Sequence, residues 1–323
     1  MKMNEYISVV MSVYNEEKYI SAAIKSILNQ TYPYFEFIII NDGSTDKSES
    51  LIKSFKDERI VYKKIEKVNF SKALNEGLNI AKYNYIARMD ADDISQPDRF
   101  EKQVKYLVEN PDVQVLSSGY ALFKNAKVSH IHKLPENDRD IKEQLSYSGS
   151  VCHAGSIYSK NHILKFGGYN ENLDMLEDID LWLRIRNETK FHNLNEVLYL
   201  IRIKENSMTS KESLKPKQFF RDIYLKHFDK NYYCDSVKAD TDYAILLFKF
   251  SYKKEFREYV LNKKILLSPK IFLLYLWSFL PEKISSKNIV DWLKWKLINV
   301  RTMFDKNKKE YEHLIDNLEK QDA

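Results

Sequence analysis

The sequence predicts an α/β protein built on a Rossmann-like, mostly parallel twisted sheet flanked by helices, with a helical region after it. Short apolar runs rich in β-branched residues alternate with segments of helical periodicity through the first part of the chain, the pattern of βαβ units with right-handed crossovers. Only 7 Gly and 7 Pro occur in 323 residues, too few for the many tight turns of an all-β fold. From about Ser213 the strand pattern stops and long helical segments take over.

Ile7–Val13 is a near-continuous apolar run, as a strand buried on both faces requires. Ile20, Ala23, Ile24, Ile27 and Leu28 recur at helical spacing. They stop before Tyr32-Pro33, since the residue preceding proline disfavours helix. Phe35–Ile40 reads as the second strand, and Asn41-Asp42-Gly43-Ser44-Thr45 as a turn whose hydroxyls cap a helix running to about Phe55. A third strand over Ile60–Lys64, a helix over Ser71–Ala81 and a fourth strand over Tyr85–Met89 continue the alternation. An amphipathic helix over Pro97–Asn110 and a strand over Val113–Ser118 come next, then strands at Gly119–Phe123, Ser156–Tyr158 and Val197–Ile203. The polar clusters after strands one, two and four fall at strand carboxyl ends, where open α/β sheets bind ligands. Beyond a boundary expected near residue 210, Phe219–Phe228, Tyr243–Lys263, Lys270–Leu280 and Asn288–Leu318 read as helices, punctuated by Pro216, Pro269 and Pro281.

Composition narrows the function. With 44% hydrophobic and 30% charged residues the chain has the makings of a core and is not of the disordered class. Cys152 and Cys234 show neither disulfide-framework nor metal-ligand spacing. The longest apolar run, Ile271–Leu280, is half of the ~20 residues that a bilayer span needs. Residues 1–14 lack the pattern of a secretory signal, so action in the cytoplasm is expected. Residues 211–323 hold 23 basic and 16 acidic side chains against 28 and 30 before them, within a net charge of +5. These basic residues are mostly Lys and scattered, as on solvated helix faces, so nucleic acid is not an expected partner.

The sharpest chemical signal is Arg88-Met89-Asp90-Ala91-Asp92-Asp93 at the end of the fourth strand. Carboxylates crowded in this way repel unless a cation joins them, and hard oxygen ligands suit Mg²⁺ or Mn²⁺. Mg²⁺ takes one or two carboxylates and completes its shell with water and phosphate oxygens, which fits a nucleoside diphosphate. Read alone, the same residues would also serve as an acidic loop capping the Pro97 helix.

Around this cluster a family resemblance emerges. Val9-Val10-Met11-Ser12-Val13-Tyr14-Asn15, Ile39-Ile40-Asn41-Asp42-Gly43-Ser44-Thr45-Asp46, and Met89-Asp90-Ala91-Asp92-Asp93 with Gln96-Pro97-Asp98-Arg99-Phe100 resemble the nucleotide-sugar half of family 2 glycosyltransferases. Phe166-Gly167-Gly168-Tyr169 and Leu176-Glu177-Asp178-Ile179-Asp180-Leu181-Trp182-Leu183-Arg184 extend the resemblance over about residues 5–210. It implies a GT-A catalytic domain over 1–210, with a nucleotide-sugar half to about 118, an acceptor half over 119–210, and a helical C-terminal region over 211–323. The implied activity is inverting transfer of a sugar from a nucleoside-diphosphate donor, usually UDP-linked, to an acceptor hydroxyl.

Roles follow residue by residue. Tyr14 resembles the aromatic beside the uracil and Asp42 the carboxylate that bonds the base. Val13, Tyr14, Glu16, Asp42, Lys72, Arg88 and Asp90 form the expected nucleotide-binding set, with Lys72 and Arg88 as candidates to reach the diphosphate. Asp92 matches the metal-coordinating aspartate, and Asp93 belongs to the donor pocket. Asp178, beside Glu177, is the expected general base, placed where a helix N-terminus favours its ionised form. His153, Trp182 and Lys204 are expected at the donor or acceptor pocket, Trp182 by stacking on a sugar ring or in the core. Lys204 marks a departure, for relatives often carry a metal-binding His at that position of the Arg-x-His motif. A protonated ammonium cannot ligate metal, although it can pair with the diphosphate in the metal's place. The expected acceptor is a glycan or lipid-linked precursor of a surface polysaccharide. Ile265–Leu280 and Trp292–Val300 combine aromatic and aliphatic residues with flanking Lys, suiting peripheral membrane contact, packing on the catalytic domain or a homo-oligomer. The other reading is a catalytically degenerate nucleotide-sugar-binding or scaffold protein on the same fold.

Overall fold

The computed structural model describes residues 5–146, 148–173, 175–204, 223–224, 253–263 and 307–320. Among them, nine strands form one mixed sheet in the order β3-β2-β1-β4-β8-β6-β9-β5, with β7 paired to β6. β1 (Ile7–Val13), β2 (Phe35–Asp42), β3 (Ile60–Ile65) and β4 (Tyr85–Asp90) are the predicted parallel strands. They are joined by α1 (Ile20–Leu28), α2 (Ser48–Ser54) and α3 (Phe70–Ile80). α4 (Arg99–Glu109) follows a two-residue strand, β5 (Ile94–Ser95), that the sequence does not announce.

The second half of the sheet is where direction changes. β6 (Val115–Lys124) is one strand rather than the two expected, and β7 (Lys127–His132) folds back on it. β8 (Ile157–Ser159) inserts antiparallel between β4 and β6. β9 (Phe191–Arg202) runs parallel to β6 and starts six residues before the expected Val197. Helices α5 (Asp138–Leu145), α6 (Lys160–Lys165) and α7 (Glu177–Ile185) complete this half.

Alternation along the strands builds two apolar layers. Val9, Met11, Phe37 and Ile39 pack with Ile20, Ile24 and Ile27 of α1 and Phe100 and Val104 of α4. Val10, Ile38 and Ile40 face the other way, against Leu74 and Leu78 of α3 and Leu181 and Trp182 of α7. The sheet is thus covered on both faces, and its strand ends supply the open surface.

Two tail helices fall within the described residues: α8 (Lys253–Lys263) and α9 (Lys308–Lys320). Tyr311, Ile315 and Leu318 of α9 join Ala22, Phe123, Val128 and Leu200 in a third apolar cluster, so this helix packs on the sheet domain. The helix expected over Lys270–Leu280, the segment Trp292–Val300, Cys234 and the boundary near 210 lie outside the described residues. Among the described residues no helix is long and apolar enough to cross a membrane.

The Asn41–Thr45 turn differs from expectation. Its hydroxyls do not cap α2; they fasten the loop after β1. Ser44 Oγ accepts from Asn15 N at 3.1 Å, Ser48 Oγ from Glu16 N at 2.9 Å and Asp46 from Glu17 N at 3.0 Å. In return Asn15 Oδ1 accepts from Thr45 N at 2.8 Å and Glu17 from Lys47 N at 3.0 Å. Asn15, at φ 55°, takes the left-handed conformation that asparagine tolerates. The carboxyl ends of β1 and β2 are thereby held as one rigid rim.

Candidate active site

A cleft of about 1450 Å³ opens where the carboxyl ends of β1, β2 and β4 meet the end of β9 and the start of α7. Tyr14, Glu16, Asp42, Arg88, Asp90, Asp92, Asp93, His153, Glu177, Asp178 and Lys204 all line it. Residues scattered over 190 positions of sequence are brought together by the crossovers.

At one end Asp42 is almost wholly buried, accepting from Val68 N at 2.7 Å and from Lys67 Nζ. Lys67 Nζ also lies 4.2 Å from the centre of the Tyr14 ring. Gly43 makes this approach feasible: at φ 69° it turns the chain, and a Cβ there would meet Lys67 N at 2.9 Å. Lys67 is thus a cleft residue that the sequence did not single out. Lys72, which it did, is exposed on α3, does not line the cleft and donates its backbone N–H to the Asn69 cap, so a reach to the diphosphate is not supported. The Val13 side chain is buried in the core, and Val13 does not line the cleft.

The middle of the cleft is a network of charge. Arg88, fully buried, pairs with Asp90 at 2.5 Å. Asp93 is buried and accepts from Arg202 N at 2.8 Å; burial, then Asp92 and Asp90, hold its carboxyl well above the usual range. Lys204 Nζ sits between Glu16 Oε1 at 2.5 Å and Asp92 Oδ2 at 2.6 Å. Burial alone would lower the Lys204 ammonium, but Asp92 and Glu16 outweigh it and the net shift is upward. Asp92 itself is raised, by burial first and by Asp90 second.

Among the described residues no three His, Cys, Asp or Glu side chains converge as metal ligands. A hard divalent ion fits nonetheless through the oxygens of Asp92 and Asp90, completed by phosphate and water, because Mg²⁺ asks for only one or two carboxylates. Lys204, which stands where the family motif carries a His, pairs with one oxygen of Asp92.

The far wall carries the acidic pair. Leu176, at φ 61°, enters α7 through a left-handed turn without being glycine, strain of ~1–2 kcal/mol that the surrounding packing holds. Glu177 follows, nearly buried, its carboxyl pushed up to about 8 by burial and then by Asp178. Asp178 is partly open to the cleft, with Oδ1 accepting from Ile179 N at 2.7 Å. Burial raises its carboxyl while that hydrogen bond opposes the shift. His153 Nε2 meets the Tyr169 hydroxyl at 2.7 Å, and burial, aided by Arg88, holds the imidazole neutral well below its usual range. Trp182 does not reach the cleft: it is 0% exposed, edge-on to His153, Tyr158 and Phe191, so sugar stacking gives way to a core role.

Similarity to known proteins agrees with this geometry. The model of the family described as "Glycosyl transferase family 2" matches residues 8–165. The O-antigen biosynthesis glycosyltransferase WbnJ of Escherichia coli is 37% identical over 66% of this chain and 85% of its own. Staphylococcus aureus TarS, solved with UDP-GlcNAc, superposes with a TM-score of 0.60 at 17% identity, over 97% of this chain and 89% of that one. The mannosyltransferase PcManGT of Pyrobaculum calidifontis, solved with GDP-Man and Mn²⁺, gives a TM-score of 0.53 at 15% identity, over 97% and 84%. The mixed sheet, the cleft at its strand ends and a relative matched along most of its length lead to one assignment: the chain belongs to glycosyltransferase family 2 and has the GT-A fold.

Proposed function

We propose that this enzyme is an inverting transferase that moves a sugar from a UDP-linked donor to an acceptor hydroxyl during assembly of a surface polysaccharide. The observation that carries the reading is the order of groups along one cleft. Along the strand order β2-β1-β4, Asp42 with Lys67 and then Tyr14 precede Asp90 and Asp92, and Glu177 with Asp178 line the same cleft. A base pocket, a diphosphate site and a proton acceptor are what a single displacement needs, in that sequence. The names of relatives support the pathway: that of WbnJ refers to O-antigen and that of an Erwinia amylovora relative, 31% identical, to amylovoran.

In the proposed reaction the acceptor oxygen attacks the anomeric carbon as the diphosphate leaves from the opposite face, and Asp178 takes the hydroxyl proton. Burial raises both adjacent carboxyls, and the two divide the work. Glu177, pushed up to about 8, keeps its proton at neutral pH, and Asp178 is the more open of the two to the cleft. Arg88 steadies Asp90, and Lys204 and Lys67 bring fixed positive charge to the phosphate side. When bound, Mn²⁺ or Mg²⁺ held by Asp92 supplies Lewis-acid neutralisation of the leaving group. The acceptor in this reading is a glycan or lipid-linked precursor met at the cytoplasmic membrane face, with the tail segments beyond the described residues as the membrane or oligomer contact.

The test is thermal unfolding with UDP, GDP, CDP and dTDP, each with Mn²⁺, Mg²⁺ or chelator. A native-state ligand at 100 times its Kd adds ~2.7 kcal/mol, and UDP is expected to give the largest shift. Lys204→Ala is expected to abolish the shift that UDP produces in chelator while keeping part of the shift with Mn²⁺. If no nucleotide moves the transition, the degenerate scaffold becomes the better reading.

The acidic pair yields a pH prediction. Glu177 ordinarily ionises near 4.5 and is pushed up to about 8 in the folded protein. Folding thus favours its protonated form, so its contribution to stability is whole below about 4.5 and is lost as pH rises through 8. Glu177→Gln is expected to melt several degrees above the parent at pH 8.5, ~2–4 °C for each kcal/mol. The gap closes towards pH 5, and a pH-independent difference would count against this assignment.

A further inference from the structure

Helix α9 brings a residue into the donor site from the far end of the chain. Resting on the donor reading above, we propose that Glu319 is a positioning residue that fixes Arg202 and, through it, the Asp92–Asp93 turn.

Tyr311, Ile315 and Leu318 lie four and three residues apart, which places them on one stripe of the helix. That stripe docks on Phe123, Val128 and Leu200, and Glu312 adds a carboxylate oxygen to Val128 N at 3.1 Å. Docking carries the next residue, Glu319, to the rim of the cleft, which it lines.

There it meets Arg202, whose side chain is only 6% exposed. The guanidinium lies 4.4 Å from the centre of the Tyr19 ring and 4.5 Å from that of Phe123. Its Nε donates to the carbonyl oxygen of Asp92 at 2.7 Å, and its backbone N–H to Asp93 Oδ1 at 2.8 Å. Nη1 pairs with Glu319, while Nη2 is buried with no hydrogen-bond partner. A cation held between two rings has lost most of its hydration, so removing its carboxylate leaves an uncompensated buried charge. The carboxylates of Asp92 and Asp93, residues that it already grips, are then open to it. Turning towards them would break the Nε bond to the Asp92 carbonyl and consume the negative charge that the diphosphate site uses. Glu319 thus neutralises Arg202 from outside and leaves its Nε free to hold the turn by a backbone atom. Glu319 lies outside the apolar stripe, so its replacement leaves the contacts of Tyr311, Ile315 and Leu318 in place.

The test compares full-length parent, Glu319→Ala and Glu319→Gln by hydrogen exchange of the free protein and by calorimetric titration with UDP and Mn²⁺. Expected for Glu319→Ala are faster exchange confined to residues 90–95 and UDP affinity lowered about 5–10-fold. Glu319→Gln, whose amide oxygen still accepts from Arg202, falls between. Unchanged exchange at residues 90–95 overturns the proposal, as does faster exchange spread evenly over the sheet. Should the parent itself fail to bind UDP, the donor reading falls while the exchange result still decides the role of Glu319.

Discussion

Replacing Asp178 by Asn is expected to lower kcat by about 10²–10⁴-fold, the usual contribution of a positioned general base, with UDP affinity near that of the parent. The amide is nearly isosteric and its oxygen can still accept from Ile179 N, now bonded to Asp178 Oδ1 at 2.7 Å. The start of α7 and the position of Glu177 therefore persist, and what is lost is the ability to take a proton. Glu177 is the poorer proton acceptor, because burial, the first cause of its raised carboxyl, persists in the variant. Single-turnover transfer rates and UDP titration on the same preparation separate the two effects. Turnover within twofold of the parent would place the base elsewhere.

Trp182→Ala is expected to cost ~3–5 kcal/mol of stability, as large-to-small changes of buried aromatics do. The indole is wholly buried, with ring centres at 5.9 Å from His153, 6.0 Å from Tyr158 and 6.2 Å from Phe191. A sugar-stacking tryptophan would instead give a stable variant with weakened substrate binding. Urea unfolding distinguishes them, with the midpoint falling and the slope unchanged. Trp182→Phe, which retains most of the apolar volume, is expected to lose less stability and to keep its catalytic constants.

Legibility differed between the two halves of the sheet for a physical reason. β1, β2 and most of β4 are buried on both faces, and β1 to β4 are joined by regular helices, so these elements wrote their own periodicity into the sequence. β5, two residues long, has too few positions to show any period, and its pairing with Leu200 and Tyr199 is a tertiary fact. The strands expected from the sequence divide β6 between Ser118 and Gly119, but Gly119 is no break. It instead marks a register shift where a Cβ would meet the carbonyl oxygens of His132 at 2.9 Å and Glu196 at 3.0 Å. At the site, Asp42, Asp92 and the Glu177–Asp178 pair were legible because family motifs carry them. Lys67 was not, since its role depends on the turn at Gly43 bringing an unremarkable loop lysine onto Asp42. Lys72 and Trp182 show the converse: side chains near a motif, one exposed on α3 and the other in the core, which was one of its two expected places. The docking of Glu319 on Arg202 joins residues 117 positions apart and has no local signature at all.

The antiparallel insertion of β8 has a consequence for synthesis. Tyr85–Ala87 of β4 pair with Ile157–Ser159, and Arg88 N reaches Ser156 O at 2.9 Å. On a ribosome the first four strands emerge and pair long before that partner exists. At ~5–20 residues per second, the wait for residue 159 lasts roughly 4–14 seconds. During it the free edge of an apolar strand is open to wrong pairing with another nascent chain. Slow sequestration of that edge, rather than the burial of either apolar layer, is then the step at which yield during expression would be won or lost.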